Sequence, residues 1–229
     1  MNTLRVATYN IHKGVQGLGP AKRLEIHNLA PAIQSLNADL VCLQEVRQFN
    51  RREARRFAHW PVQAQADFLA PPGYQAVYRT NAITRHGEHG NALLSRWPVL
   101  ACEHRDISDH RLEQRGFLHV TLSVHGLALH VLVVHLGLIQ RSRMRQLASL
   151  QHYIQTNLAP DAPLILAGDF NEWRAGFAAG LNVVGLRAWP VPHATFPSRM
   201  PLLQLDHVFA RGLAPKSLTV PRGPVWWRM

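Results

Sequence analysis

A chain of 229 residues, 47% hydrophobic and 17% charged, is long and apolar enough for one large globular domain and excludes a disordered or fibrous protein. Its apolar runs have strand length, so no membrane span is expected, and Met1-Asn2-Thr3 followed by Leu4-Arg5-Val6 lacks the pattern of a signal peptide. The formal charge of +11 calls for an anionic partner: nucleic acid, a phospholipid headgroup or a small phosphate ester.

Two further features qualify that charge and place the protein. Of the 25 basic residues 22 are arginine, a bias that a genome rich in G and C also produces. The two cysteines make no disulfide framework, and Cys42 sits in an apolar run, so the reducing cytoplasm is expected; a monomer is expected as well.

In chain order, Leu4 to Asn10 reads as a strand, with Leu4, Val6 and Thr8 on the face that ends in Asn10. A glycine-rich loop follows. Lys22 to Leu36 then has apolar residues at helical spacing, with Pro31 as a candidate break. Asp39 to Val46 is a second strand, whose row Val41, Leu43 and Glu45 again ends in a polar group. Residues 47–73 read as surface with some helix, and Arg47, Arg51, Arg52, Arg55 and Arg56 form a charged face there. Tyr74 to Tyr78 and Asn91 to Arg96 are strand-like, with a loop holding His86 to Gly90 between them. Phe117 to Val124 and Leu127 to Leu136 form a hairpin about His125-Gly126. Arg141 to Leu158 is the best helix, with Met144, Leu147, Ala148, Ile154 and Leu158 on one face. Leu164 to Ala167 and Leu202 to Ala210 are the remaining strands. Strands outnumber helices, and helices separate only some of them. A layered α/β or α+β sandwich in one domain over 1–229 is therefore expected.

The stretch Pro163 to Trp173, PLILAGDFNEW, organises the functional reading. In extended backbone Asp169 and Asn171 point the same way, while Phe170 turns back into the core. A carboxylate and an amide held together at a strand end suit a hard cation and a phosphate, although Gly, Asp and Asn also make ordinary turns. Other strands finish alike, in Asn10, Glu45, His135 and Asp206. The inward row Leu127, Leu129, Val131 and Val133 ends in His135, a costly place for a histidine without a task.

The motifs TYNIHKG, ADLVCLQEV, HGNALLSRWP, VHLG, LAGDFNEW and LDHVF, in this order along nearly the whole chain, resemble the endonuclease/exonuclease/phosphatase superfamily of DNase-I-like phosphoester hydrolases. The resemblance implies a four-layer α-β-β-α sandwich of two mixed sheets with the active site at the lip between them. It implies that Asn10, Glu45 and Asp169 serve a divalent cation, Mg2+ with Mn2+ as substitute, and that Asp169 and Asn171 hold the nucleophilic water and phosphate. It further implies that His135 contacts the phosphate as an imidazolium, that Asp206 pairs with it, and that Asn91 and Arg96 approach the substrate. The reaction expected is in-line attack of water on a phosphodiester or phosphomonoester, belonging to nucleic acid, phospholipid or a smaller ester.

Family members end in a Ser-Asp-His triplet that leads into a final strand, whereas this sequence stops at Trp226-Trp227-Arg228-Met229. Ser108-Asp109-His110 lies mid-chain and is not a substitute. The expectation is a C-terminally truncated domain with its last strand missing, weak or inactive for want of a general acid/base contribution of roughly 10²–10⁴-fold. The alternative is a catalytically dead module that binds nucleic acid or anionic lipid. A histidine-rich zinc hydrolase fits less well, because His130 and His135 face opposite sides of one strand.

Overall fold

The structure, a computed structural model, describes residues 3–111, 113–172, 180–188 and 193–226. The first half of the chain builds one sheet and the second half another. The four-stranded sheet has the order β1-β4-β6-β5, from β1 (Val6–Asn10), β4 (Leu40–Val46), β5 (Gln75–Thr84) and β6 (Gly87–Ser95). A small ribbon, β2 (Val15–Gln16) with β3 (Arg23–Leu24), lies in the loop after β1. The six-stranded sheet has the order β11-β12-β10-β9-β8-β7. Its strands are β7 (Val99–Asp106), β8 (Gly116–Val124), β9 (Leu127–His135), β10 (Leu164–Asp169), β11 (Arg187–Ala188) and β12 (Asp206–Arg211). Each sheet has one parallel pair, β1 with β4 and β9 with β10, so both are mixed.

Three apolar layers follow from the alternation of side chains along these strands. Leu40, Cys42, Leu93, Leu118, Val120, Val131, Val133 and Ile165 pack the two sheets face to face. The outer face of the first sheet, with Val41, Leu43 and Leu94, is covered by α1 (Ile26–Ser35) and α3 (Gln65–Leu69). The outer face of the second, with Leu132, Leu166, Phe170 and Phe209, is covered by α4 (Gln140–Asn157). The expected α-β-β-α sandwich is the observed one.

Several local expectations are corrected. Pro31 lies inside α1 without ending it. Of the expected loop at His86 to Gly90, only His86 is in a turn; Gly87 onward is the start of β6, joined to β5 by a tight hairpin. β7 escaped notice because an edge strand with one partner keeps charged residues such as Glu103 and Arg105. On α4, Met144 is 52% exposed, and the buried side instead includes Arg143, Gln146, Leu147, Leu150 and Ile154. Arg143 and Gln146 face inward because they hold the loop after β9, as described below. Near the end of the described chain Trp226 packs edge-on against Tyr9, with ring centroids 5.2 Å apart. Trp173 and Trp227 to Met229 lie outside the described residues.

Candidate active site

Parallel pairing brings strand ends together. β1 and β4 both run toward one edge of the sandwich and end in Asn10 and, within one residue, Glu45. β9 and β10 likewise end side by side, with His135 opposite Asp169 in register, and antiparallel β12 begins there with Asp206 opposite Asp169. Asn10 Nδ2 donates to Asp169 Oδ2 at 3.1 Å, a bond that joins the two sheets at their lip. His135 lies within electrostatic reach of both Asp169 and Glu45. Five polar groups from distant parts of the sequence therefore share one lip.

Close approach of the strands is built into Gly168, where a β-carbon would collide with the Val134 carbonyl. Beyond it the backbone leaves the extended form. Asn171 has φ 50°, its N–H donates to Asp169 Oδ1 at 2.9 Å, and its Nδ2 donates to Leu136 O at 2.8 Å. Asp169 and Asn171 are thus coupled through a turn rather than by strand alternation. Phe170 is fully buried between them, as expected. Glu45 also has positive φ, 56°, at a register shift between Leu43 and Val46. Left-handed backbone at a residue with a long side chain costs energy and marks a position held by its surroundings.

The electrostatics separate these groups. Burial pushes the Glu45 carboxyl up, but Lys13, His135 and His12 outweigh it and bring its pKa down to about 2. Lys13 Nζ is 2.9 Å from Glu45 Oε2. Asp206 moves the other way: burial, and then the Asp169 charge beside it, raise it to about 7, against a hydrogen bond from Thr195. Burial depresses His135 more than Asp169 raises it, which favours the neutral imidazole over the expected imidazolium. The expected His135–Asp206 pair is also corrected. β10 runs between their strands, and the carboxylate facing His135 Nε2 is that of Asp169, at 3.7 Å.

Two more expectations change. Arg96 follows β6 at the opposite end of that strand from the lip, where it binds Asp39 at 2.9 Å, Asn37 and Tyr74. It does not reach the site. Asn91 has no exposed surface, and its Nδ2 donates to the Gly116 and Val133 carbonyls, both at 3.0 Å. It ties β6 to the second sheet beneath the site instead of touching a substrate. Asp109 of the mid-chain Ser-Asp-His accepts from Ser142 at 2.7 Å and is bound by Arg145, an anchor for α4.

Sequence reasoning missed the supports. Arg143 and Glu172 form a buried ion pair at 3.0 Å, with side chains 3% and 4% exposed. Arg143 Nη1 also donates to the carbonyls of Gly137 and Leu138, and Gln146 accepts from Gly137 N–H, so α4 clamps the loop after His135. Arg115 reaches the same loop through Leu136 O at 3.2 Å. His89, pushed down to about 4 by burial first and by Lys13 next, lines a cleft of about 350 Å³ with Thr84, Arg111, Glu113 and Arg115. Glu172 and Lys13 stand inside the quoted motifs, so position was the available signal. The arginines of the helix carried none.

A profile of the Endonuclease/Exonuclease/phosphatase family matches residues 7–226. The chain belongs to that family. Its relatives include the uncharacterized protein YbhP of Escherichia coli (strain K12), 37% identical over 227 residues, covering 95% of this chain and 88% of that protein. Among solved structures, sphingomyelinase C from Streptomyces griseocarneus is 22% identical with a TM-score of 0.66, covering 94% of this chain and 86% of that one. A mannosyl-6-phosphatase of Bacteroides thetaiotaomicron VPI-5482 is 18% identical, also with a TM-score of 0.66, over 91% and 85% of the two chains. At such identities these two similarities show the fold.

Endonuclease/exonuclease/phosphatase proteins are hydrolases of phosphoesters and commonly use divalent metal ions. The lip fits such an ion by donor chemistry. Glu45 stays ionised, and Asn10 Oδ1 and the Asp169 carboxylate add hard oxygens. Among the described residues no three His, Cys, Asp or Glu side chains form a ready-made metal cluster. Mg2+ needs none, since it keeps several waters and takes one or two carboxylates together with substrate phosphate.

Proposed function

We propose that this protein is a Mg2+-dependent phosphoesterase that hydrolyses a phosphodiester or phosphomonoester by in-line attack of water. The observation that carries the reading is the Asn10–Asp169 bond between the sheets, with Glu45, His135 and Asn171 gathered about it. Glu45, with Asn10 and Asp169, would hold the cation, which when bound neutralises phosphate oxygens. Asp169 accepts from the Asn171 N–H and from Asn10 Nδ2, an arrangement suited to orienting a water. Neutral His135 can offer one ring N–H to a phosphate oxygen, and the Asn171 turn fixes its neighbour Asp169 without reorganisation during reaction. Asp206, protonated up to about pH 7, adds no negative charge against an anionic substrate below that pH.

Among the described residues no helix is long and apolar enough to cross a membrane. The working proposal places the protein in the cytoplasm as a monomer, with the ester of a nucleic acid, phospholipid headgroup or smaller molecule as substrate. Similarity to a sphingomyelinase and a mannosyl-6-phosphatase supports testing both ester classes. The test is turnover of plasmid DNA, RNA, phospholipid and nitrophenyl phosphates with Mg2+ or EDTA. A rate lost in EDTA and reduced at least ~10²-fold by Asp169→Ala is expected. Turnover indifferent to both would belong to a contaminant, and a chain that binds these ligands without turning any over would be a binding module.

A further inference from the structure

The loop after β1 passes through three successive left-handed residues, His12 (φ 44°), Lys13 (φ 65°) and Gly14 (φ 71°). Two of the three carry side chains that disfavour this conformation. The loop is held there from several sides. His12 N–H donates to Asn10 Oδ1 at 3.0 Å, Gln65 Nε2 donates to Lys13 O at 2.8 Å, and Glu25 N–H donates to Gly14 O at 3.0 Å. A β-carbon on Gly14 would lie 2.7 Å from Gln65 Nε2, so the turn is shaped for glycine.

The result is that Lys13 Nζ lies 2.9 Å from Oε2 of Glu45, itself left-handed. The Lys13 and Glu45 side chains are 34% and 17% exposed. The pair offsets part of the cost of burying the carboxylate, but the left-handed backbone on both sides of it costs energy in turn, so stability alone does not account for the arrangement. The other charged or titratable groups facing this carboxylate are His12, His135, His89 and Arg47. Among the described residues only Lys13 forms an ion pair with Glu45, and it does so on a flexible stem that can withdraw.

We propose that the Lys13 ammonium is a tethered counter-ion, which occupies the cation position at Glu45 in the metal-free protein and yields it when a divalent cation binds. This inference rests on the metal-dependent reading of the lip. In the metal-free protein the ammonium compensates a partly desolvated carboxylate, and in the loaded protein its charge opposes the incoming cation. Lys13 thereby sets how tightly the metal is held. Once displaced, the ammonium stays tethered at the mouth of the site, where it meets an anionic substrate.

The experiment is calorimetric titration of the full chain with Mn2+, for the parent, Lys13→Met, Lys13→Arg and Glu45→Gln, each checked for folding by circular dichroism. Removing one repelling charge should tighten Mn2+ binding roughly tenfold or more in Lys13→Met. Lys13→Arg, which keeps the charge, should stay within about threefold of the parent, and Glu45→Gln should lose binding. Thermal unfolding gives a second readout: Lys13→Met should melt below the parent in EDTA and gain more than the parent from Mn2+. If Lys13→Met binds Mn2+ no tighter than the parent while Glu45→Gln loses it, the counter-ion role falls and the metal site stands. If the parent binds no Mn2+, both readings fall together.

Discussion

Replacing Asp206 by Asn tests the electrostatics of the lip with no substrate in hand. The carboxyl rises from 3.8 to about 7, first through burial and then through the Asp169 charge on the neighbouring strand. An acid raised in the fold stabilises when protonated, so its contribution is complete below pH 3.8 and is lost as pH rises through about 7. Three pH units at about 1.4 kcal/mol each give a ceiling of roughly 4 kcal/mol. Because Asp206 and Asp169 share one electrostatic problem, about 2–4 kcal/mol is the range expected. Asn has the shape of the neutral acid and never ionises. Asp206→Asn should therefore match the parent near pH 4 and exceed it by about 2–4 kcal/mol at pH 8, or roughly 5–15 °C in melting temperature. Urea unfolding of both proteins in EDTA at the two pH values measures the difference, and the buried histidines, which titrate in both proteins, cancel from it. An advantage for the variant that is the same at pH 4 and pH 8 would refute the raised acid.

Other perturbations address the supports. Arg143→Met removes one partner of the buried Arg143–Glu172 ion pair and should cost about 3–5 kcal/mol by urea denaturation, with part recovered in Arg143→Met/Glu172→Gln. Gly168→Ala drives a methyl group into the Val134 carbonyl beside His135 and should lower both melting temperature and phosphoesterase rate. A variant that melts with the parent would mean that the two strands separate easily there. Phe170→Ala empties a fully buried site between Asp169 and Asn171 and should cost about 3–5 kcal/mol, read by the same denaturation.

Much of this architecture is legible in the amino-acid order because sheet periodicity is local. The rows ending in Asn10, Glu45, His135 and Asp169 mark strands and the polar tips that meet at the lip. What was not legible depends on the order of strands within a sheet. Nothing near His135 or Asp206 tells that β10 runs between them, so a direct pair was the natural expectation and Asp169 is what intervenes. Arg96 misled for a related reason. It follows an apolar strand as Glu45 nearly does, but β6 is antiparallel to β4, and its end points to the far side. The left-handed torsion of Glu45 leaves no compositional trace, whereas Asn171 is of a type that tolerates such a turn.

The chain crosses from one sheet to the other between β6 and β7, at Arg96-Trp97-Pro98. A cut at this crossover would divide the lip between two fragments, Asn10 and Glu45 on one, His135, Asp169 and Asp206 on the other. Each fragment would also expose the apolar face it had pressed against its counterpart, a strong incentive to re-pair. Rejoining them would restore the whole set of groups at once, which makes the crossover a natural place to engineer a split reporter.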